Sequence, residues 1–337
     1  MRRMKLSRRA LLALVLVGIG GLGCLYLGNA SWLAAVPRGV PQVVAQRGVA
    51  QQYLSSNLTD DSCTARLILP PTHPLIDNTL PSIDAALTAG ADIVEADIRV
   101  TKDSQFVLLH DVELGCRTEG TGRVSQHTVA ELQRLDVGYG YTADGGKSFP
   151  LRGKGVGLMP TLAQVLQKYP EQRFLIQIKD GERKVADSLV AYLRLNQLEI
   201  SNRLSFFGAA APLNRLKQIV PAARTWSAQS VQRCLKGYVD TGWFGHVPLA
   251  CEDGMAIVPV DQADLLWGWP NRFLARMRAH HTQVMLIGRV DGLTSGNFSR
   301  LDTLADLSKV PAGFDGLIWT DQIRVIGPAL RVQKNSP

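Results

Sequence analysis

The chain has 337 residues, 46% of them hydrophobic and 20% charged, the balance of an ordinary globular protein built as one large α/β domain or two small ones. Its formal charge of +8 looks basic, but six Lys/Arg and no acid fall within residues 1–40. The remaining body is close to neutral and lacks the concentrated basic face that nucleic-acid binding requires, so nucleic acid is set aside as a partner.

The first element is "MRRMKLSRRALLALVLVGIGGLGCLYLGNASWLAAVP", a basic head followed by an uncharged stretch from Ala10 to Ala35 that is long enough to cross a bilayer. Residues 1–36 are therefore read as a membrane anchor or a signal segment. Gly28-Asn29-Ala30 offers a small-residue cleavage site, and Ser7-Arg8-Arg9-Ala10-Leu11-Leu12 resembles a twin-arginine export signal. Retention of the basic head inside places the body on the periplasmic or outer side of a bacterial cytoplasmic membrane, tethered there or secreted after cleavage.

From residue 41 to 328 one rhythm repeats, a short β-rich run followed by a helical pattern. Strands are expected at 42–46, 92–97, 173–179, 203–207, 223–227, 255–260, 283–287 and 315–320. Between them lie helical stretches such as "LPSIDAALTAG", capped by Thr79 and stopped at Gly90, and "PTLAQVLQKYP". Eight alternating units predict an α/β fold of the (β/α)8 TIM-barrel type, whose reactive groups sit at the C-terminal ends of the strands. A doubly wound open sheet would want a glycine fingerprint after the first strand, and "QRGVAQQ" has none. Residues 329–337 are expected to be an unstructured tail.

The second strand carries the chemistry. In "VEADIRVTKDSQFVLLHD", residues 94–111, Glu95 and Asp97 share a face by the strand's period of two. Too few residues separate Asp97 from Phe106 for a helical crossover, so 106–109 must return as a β-hairpin excursion after the second strand. A two-residue Asp103-Ser104 loop pairs positions that sum to 207 and sets His110 opposite Asp97. Two like charges on one inward face repel each other, and a divalent cation, Ca²⁺ or Mg²⁺, relieves that with oxygen ligands.

These residues belong to a longer ordered set: Arg47-Gly48, Asp77-Asn78-Thr79, "AGADIVEADIRVTKD", "LLHD", "CRTEGTGRV", "TVAELQRLDVG", "MPTLAQVL", "IQIK" and "FDGLIWTD". The set covers about residues 43–325 and resembles the glycerophosphodiester phosphodiesterase family. The resemblance implies a TIM-type barrel that uses a divalent metal to hydrolyse glycerophosphodiesters to glycerol 3-phosphate and an alcohol. Residue by residue, it implies Glu95 and Asp97 as metal ligands, His110 as the catalytic histidine, and Arg47 and Lys179 as cations on the phosphate, with Asn78 in the substrate-binding set.

Three positions depart from the pattern. The family's first histidine is Gln46 here, the third metal ligand is Gln177 in place of glutamate, and the glutamate before Asn-Thr is Asp77. Gln177 can still ligate through its carbonyl oxygen with one charge less, whereas Gln46 cannot transfer a proton near neutral pH. His73, in the insertion 49–76, is a candidate substitute, and "LLWGWPNRF" at 265–273 is an aromatic loop that either caps the barrel or packs a substrate alcohol.

Five cysteines fit an exported body. Outside Cys24 of the apolar segment, Cys63 in the insertion must pass near Cys116, and Cys234 and Cys251 flank one strand-loop region, which predicts the pairs 63–116 and 234–251. The reading that follows is a membrane-associated metal-dependent phosphodiesterase acting on a small-molecule diester, with no oligomeric state specified. Its rivals are a catalytically impaired barrel that binds phosphodiesters or lipid head groups, suggested by Gln46 and Gln177, and a phospholipase D-like lipid hydrolase, suggested by the tether alone.

Overall fold

In the computed structural model, which describes residues 8–53, 62–289 and 299–335, each expected β-rich run is a strand. Helix α1 (Arg8–Asn29) precedes β1 (Gln42–Ala45). Helix α2 (Leu80–Ala89) leads into β2 (Ile93–Val100), on which β3 (Phe106–Leu108) turns back. After the short α3 (Val129–Leu132) come α4 (Leu162–Lys168), β4 (Arg173–Ile178), α5 (Lys184–Leu195), β5 (Leu204–Gly208), α6 (Ala210–Ile219) and β6 (Arg224–Trp226). The chain continues through α7 (Ala228–Thr241), β7 (Met255–Pro259), α8 (Asn271–Ala279), β8 (Gln283–Ile287), α9 (Leu304–Leu307), β9 (Leu317–Thr320) and α10 (Ile323–Asn335).

The strands other than β3 lie side by side in the order β6-β5-β4-β2-β1-β9-β8-β7, all neighbours parallel, and β3 pairs antiparallel with β2 alone. This is the predicted (β/α)8 barrel, nearly closed. Among the described residues no strand pairing joins β6 to β7; at that seam Val231 of α7 packs with the barrel's inner side chains, and the Cys234–Cys251 disulfide ties α7 to the approach to β7. The alternation of side chains separates two layers. Inward Val44, Ile93, Leu175, Phe207, Met285 and Trp319 fill the barrel, while outward Val43, Val94, Ile176, Phe206, Leu286 and Ile318 meet the helices. Inside, Phe207 stacks on Trp226 at 4.6 Å, and both meet Trp319 edge-on.

The helix signals are read correctly: Thr79 caps α2 by accepting from the Ser82 N–H, and Gly90, at φ 107°, ends it. Two expectations need correction. The hairpin pairs Ile98 with Leu108 and Val100 with Phe106, positions that sum to 206, because its loop has three residues, Lys102-Asp103-Ser104. Thr101 accepts from the Ser104 N–H and Ser104 then takes φ 56°, a turn followed by a left-handed residue, which shifts the register by one. Of the tail expected at 329–337, residues 329–335 are the last part of helix α10, which packs through Ile323, Ile326 and Leu330 onto the barrel wall, and 336–337 lie outside the described residues.

Residues 101–161 form more than a hairpin. Val107, Leu109, Leu114, Tyr141, Leu151 and Met159 build a separate apolar core with Ala65 and Ile76, so the excursion and residues 63–76 of the insertion fold together over one side of the mouth. The Cys63–Cys116 disulfide joins them, and both predicted pairings are present.

Candidate active site

The turn after β1 places the first site residues. Arg47 and Gly48 both have positive φ, 53° and 79°, and a Cβ on Gly48 would stand 2.9 Å from the Ser82 carbonyl oxygen, so only glycine lets the turn press against the first turn of α2. The Arg47 carbonyl accepts from the Asn78 N–H at 2.9 Å, and Asn78 is itself left-handed at φ 58°. Two non-glycine residues in this sparsely populated region, side by side, mark a turn held by its surroundings for the sake of its side chains. Asn78 then grips β2: its amide donates to Asp97 Oδ2 at 2.9 Å and its Oδ1 accepts from the Asp97 N–H at 3.1 Å.

Glu95 and Asp97 point into the barrel as the period of two requires, and both are fully buried. The Arg47 N–H donates to Glu95 Oε2 at 3.1 Å, Arg47 Nε pairs with Asp97 Oδ2 at 2.8 Å, and Lys179 Nζ stands 3.9 Å from Asp97 Oδ1. Gln177 is the β4 partner of Asp97 in the strand register. Burial works against ionisation of Asp97, but the Arg47 guanidinium, with His110 and Lys179, outweighs it and holds the carboxyl below the usual range. Burial and the neighbouring Asp97 charge push Glu95 well above its ordinary value, and Lys179 is lowered by burial despite Asp97.

His110 reaches this cluster although its ladder position is one off. Beyond Leu108 the chain leaves the strand, and Arg99, next on the Glu95–Asp97 face, holds the His110 carbonyl through Nε at 3.0 Å and Nη2 at 2.7 Å. Burial and the nearby Arg47 charge lower the imidazole to about 4, leaving it neutral near pH 7. Its Nδ1 lies 3.5 Å from Asp111 Oδ1.

Behind His110 sits a polar network that sequence reasoning missed. The buried Arg117 donates to Asp77 Oδ1 at 2.7 Å and to Thr64 Oγ1 at 2.8 Å, and also bonds Asp111 and the Tyr141 hydroxyl, which in turn donates to Asp77. Asp77 closes the loop by standing 3.8 Å from Arg47. Also missed is Arg300, which pairs with Asp321 at 3.2 Å, lies over the Trp319 ring, and stands near enough to Arg47 and Glu95 to feel their charges. Period-two alternation along β2 could have singled out Arg99, whereas nothing local to Arg300 signals the mouth. His73 is engaged by Gln51, whose amide lies 3.0 Å from its Nδ1, and by the charge of Arg324. In the aromatic loop Trp269 packs on Phe273 and Trp267 donates to the Val239 carbonyl, contacts with the barrel wall.

A cation fits the residues present. Glu95 Oε1, Asp97 Oδ1 and Gln46 Oε1 are buried acceptors without a hydrogen-bond partner, although Lys179 Nζ stands 3.9 Å from Asp97 Oδ1, and they leave oxygen lone pairs free for a cation. Among the described residues no three His, Cys, Asp or Glu side chains gather at one point, so a cation here would have two carboxylates supplemented by amide oxygens, a hard-oxygen set of the kind that suits Ca²⁺ or Mg²⁺.

Comparison with known proteins agrees with the geometry. The model of the glycerophosphoryl diester phosphodiesterase family matches residues 62–233, half of the chain. A Bacillus subtilis glycerophosphodiester phosphodiesterase is 31% identical over 128 residues, 36% of this chain and 42% of that protein, so the chain spans about two fifths of the length of such curated relatives. Two solved structures share the fold. The glycerophosphoryl diester phosphodiesterase domain of a Mycobacterium tuberculosis protein has TM-score 0.61 at 17% identity, covering 87% of this chain and 99% of that one. An Oleispira antarctica phosphodiesterase in complex with sn-glycerol-3-phosphate has TM-score 0.55 at 17% identity, covering 88% and 98%. With the family model spanning the carboxylate pair, the histidine and the lysine of this barrel mouth, the chain belongs to the glycerophosphoryl diester phosphodiesterase family.

Proposed function

We propose that the protein hydrolyses glycerophosphodiesters to glycerol 3-phosphate and an alcohol, with a divalent cation held by Glu95, Asp97 and Gln177. The observation that carries this reading is the set of unpartnered buried acceptors on Gln46, Glu95 and Asp97, ringed by Arg47, Lys179 and Arg300. Such a mouth offers oxygens that would hold a cation and basic side chains that would hold an anion. When bound, the cation supplies charge stabilisation for the phosphoryl oxygens. Arg47 presents a planar fork and Lys179 a point charge to the same oxygens, balancing charge as the phosphorus is attacked. His110, neutral and held by Arg99 at its carbonyl, accepts the proton of the attacking water as its oxygen bonds phosphorus, and the imidazolium so formed returns a proton to the alcohol oxygen as its bond to phosphorus breaks. The product bound by the Oleispira antarctica phosphodiesterase has the chemistry this arrangement suits.

Helix α1 serves in this reading as a membrane anchor: Leu11–Asn29 is long and apolar enough to cross a bilayer and none of it is buried against the barrel. The test of activity is turnover of several glycerophosphodiesters by the full chain with Ca²⁺, with Mg²⁺ and with chelator. Turnover that the chelator abolishes supports the proposal. A second reading, a barrel that binds diesters without cleaving them, is favoured by the amides at positions 46 and 177, and it wins if ligands bind but no metal supports turnover.

A further inference from the structure

We propose that the barrel face around the end of α1 docks on the bilayer, seating Trp32, Trp243, Phe244 and Trp267 in the headgroup region. The inference rests on the reading of α1 as an anchor and goes beyond it: a tether alone leaves the body free to tumble, whereas this geometry fixes which side meets the membrane.

The apolar span Leu11–Asn29 has 19 residues. At 1.5 Å per residue it is about 28 Å long, close to the ~30 Å hydrocarbon thickness, so Asn29 lies at the boundary with the headgroups. Asn29 is not on a loose linker. Its Nδ2 donates to the Trp243 carbonyl at 2.5 Å, and Arg276 of α8 donates through Nη1 to Asn29 Oδ1 at 3.0 Å and through Nη2 to the Gly28 carbonyl at 3.1 Å. Arg276 thereby satisfies a carbonyl that the helix end leaves open and complements its dipole. The same guanidinium bonds the Gly242 carbonyl and the Tyr238 hydroxyl, and Ser31 Oγ accepts from the Asn271 N–H at 2.9 Å. The level of the membrane boundary is thus fixed relative to α7 and α8.

At that level the barrel exposes large aromatics. Trp32 is 67% exposed, Phe244 56%, and Trp243 and Trp267 42% each. Trp243 and Phe244 meet edge-on at 4.8 Å, and Trp267 stands against Gly242, where an added Cβ would meet its ring at 3.2 Å. Four large rings gathered beside the exit of an apolar helix are an apolar patch in water but a favourable one at the headgroup level, where indole finds both an apolar and a polar neighbour. The bilayer is the occupant because α1 delivers the patch to it.

The test uses the full chain reconstituted in phosphatidylethanolamine/phosphatidylglycerol vesicles. A spin label on the native Cys24, the free thiol of α1, reports insertion; in a Cys24→Ser background, labels on Phe244→Cys and on Leu195→Cys of α5 report docking. The expected result is a Cys24 label in hydrocarbon, a position 244 label at headgroup depth, relaxed more by oxygen than by a water-soluble nickel chelate, and a position 195 label in bulk water. Trp32→Cys carries the label if Phe244→Cys does not fold. A Cys24 label in hydrocarbon with position 244 as water-exposed as position 195 overturns the docking face and leaves the anchor standing. A Cys24 label in water overturns both.

Discussion

Arg117 Nη2 donates to Thr64 Oγ1 at 2.8 Å, one residue along each strand of chain from the disulfide that joins Cys63 to Cys116. The covalent link and the hydrogen bond run in parallel, clamping the insertion to the excursion at the residue that also holds Asp77 and Asp111. Those two carboxylates stand beside Arg47 and His110 respectively, so the clamp reaches both sides of the mouth through one guanidinium.

Arg117→Met is expected to destabilise the protein by about 3–5 kcal/mol, because it removes the guanidinium that bonds both Asp77 and the partly buried Asp111 and leaves Asp77 only the more distant Arg47. Arg117→Lys restores charge but not the fork, and is expected to recover only part of the loss. Urea unfolding curves of the three proteins decide the matter. Equal midpoints would show that Asp77 and Asp111 find other partners.

The same network sets an acid limit. Burial opposes ionisation of Asp111, yet Arg117 and His110 hold its carboxyl below the ordinary range in the folded protein. A folded-state pKa below the unfolded value contributes stability that is complete above the unfolded pKa of about 3.9 and is lost as pH falls below it. Wild type is therefore expected to lose stability between about pH 5 and pH 2, and Asp111→Asn to be weaker at neutral pH but flatter across that window. Urea midpoints against pH at constant ionic strength would read it, and parallel curves for the two proteins would refute it.

How much of this was legible beforehand follows from the range of each signal. Period-two alternation reaches along one strand, so Glu95, Asp97 and the barrel topology were open to reading, and capping residues marked α2. The hairpin register depended on whether its loop had two residues or three, a choice that Ser104 settles by entering the left-handed region, which residue type alone does not dictate. Arg300, Arg117 and Arg276 were out of reach for a different reason. Each acts on partners far away in the chain, such as Arg117 on Asp77 and Arg276 on Asn29, and a lone arginine carries no periodic signature of its target.

The carboxylate pair is expected to fail as a cation site when either member loses its charge. Glu95→Gln and Asp97→Asn keep the volume and one oxygen each for the Arg47 contacts, so a loss of Ca²⁺ or Mg²⁺ affinity in titration calorimetry, with turnover falling in step, would point to the lost donor charge. Because burial and the Asp97 charge both disfavour an ionised Glu95, the apo Glu95→Gln protein is expected to be no less stable than wild type, whereas Asp97→Asn takes the counter-charge from buried Arg47 and is expected to be less stable. Unchanged affinity in both would show that the pair is structural.

Gln46 faces the same space from β1's end, and its Oε1 is buried without a partner. An amide there can offer an oxygen to a cation but cannot move a proton, so His110 stands as the imidazole of the site without the second one that the family pattern places at position 46. A positioned acid or base contributes about 10²- to 10⁴-fold, so Gln46→His is expected to raise turnover by about ten-fold or more, and His110→Ala to abolish it. The side chains are of similar size and the backbone N–H of residue 46 already bonds the Thr320 carbonyl at 3.0 Å, so the substitution leaves the strand pairing intact. Steady-state rates with saturating metal provide the comparison. A Gln46→His enzyme no faster than wild type would mean that the second proton transfer runs through a different group, or that release of product rather than proton transfer limits the rate; single-turnover measurements on the same pair of proteins separate those outcomes, since only the first leaves the chemical step itself unchanged.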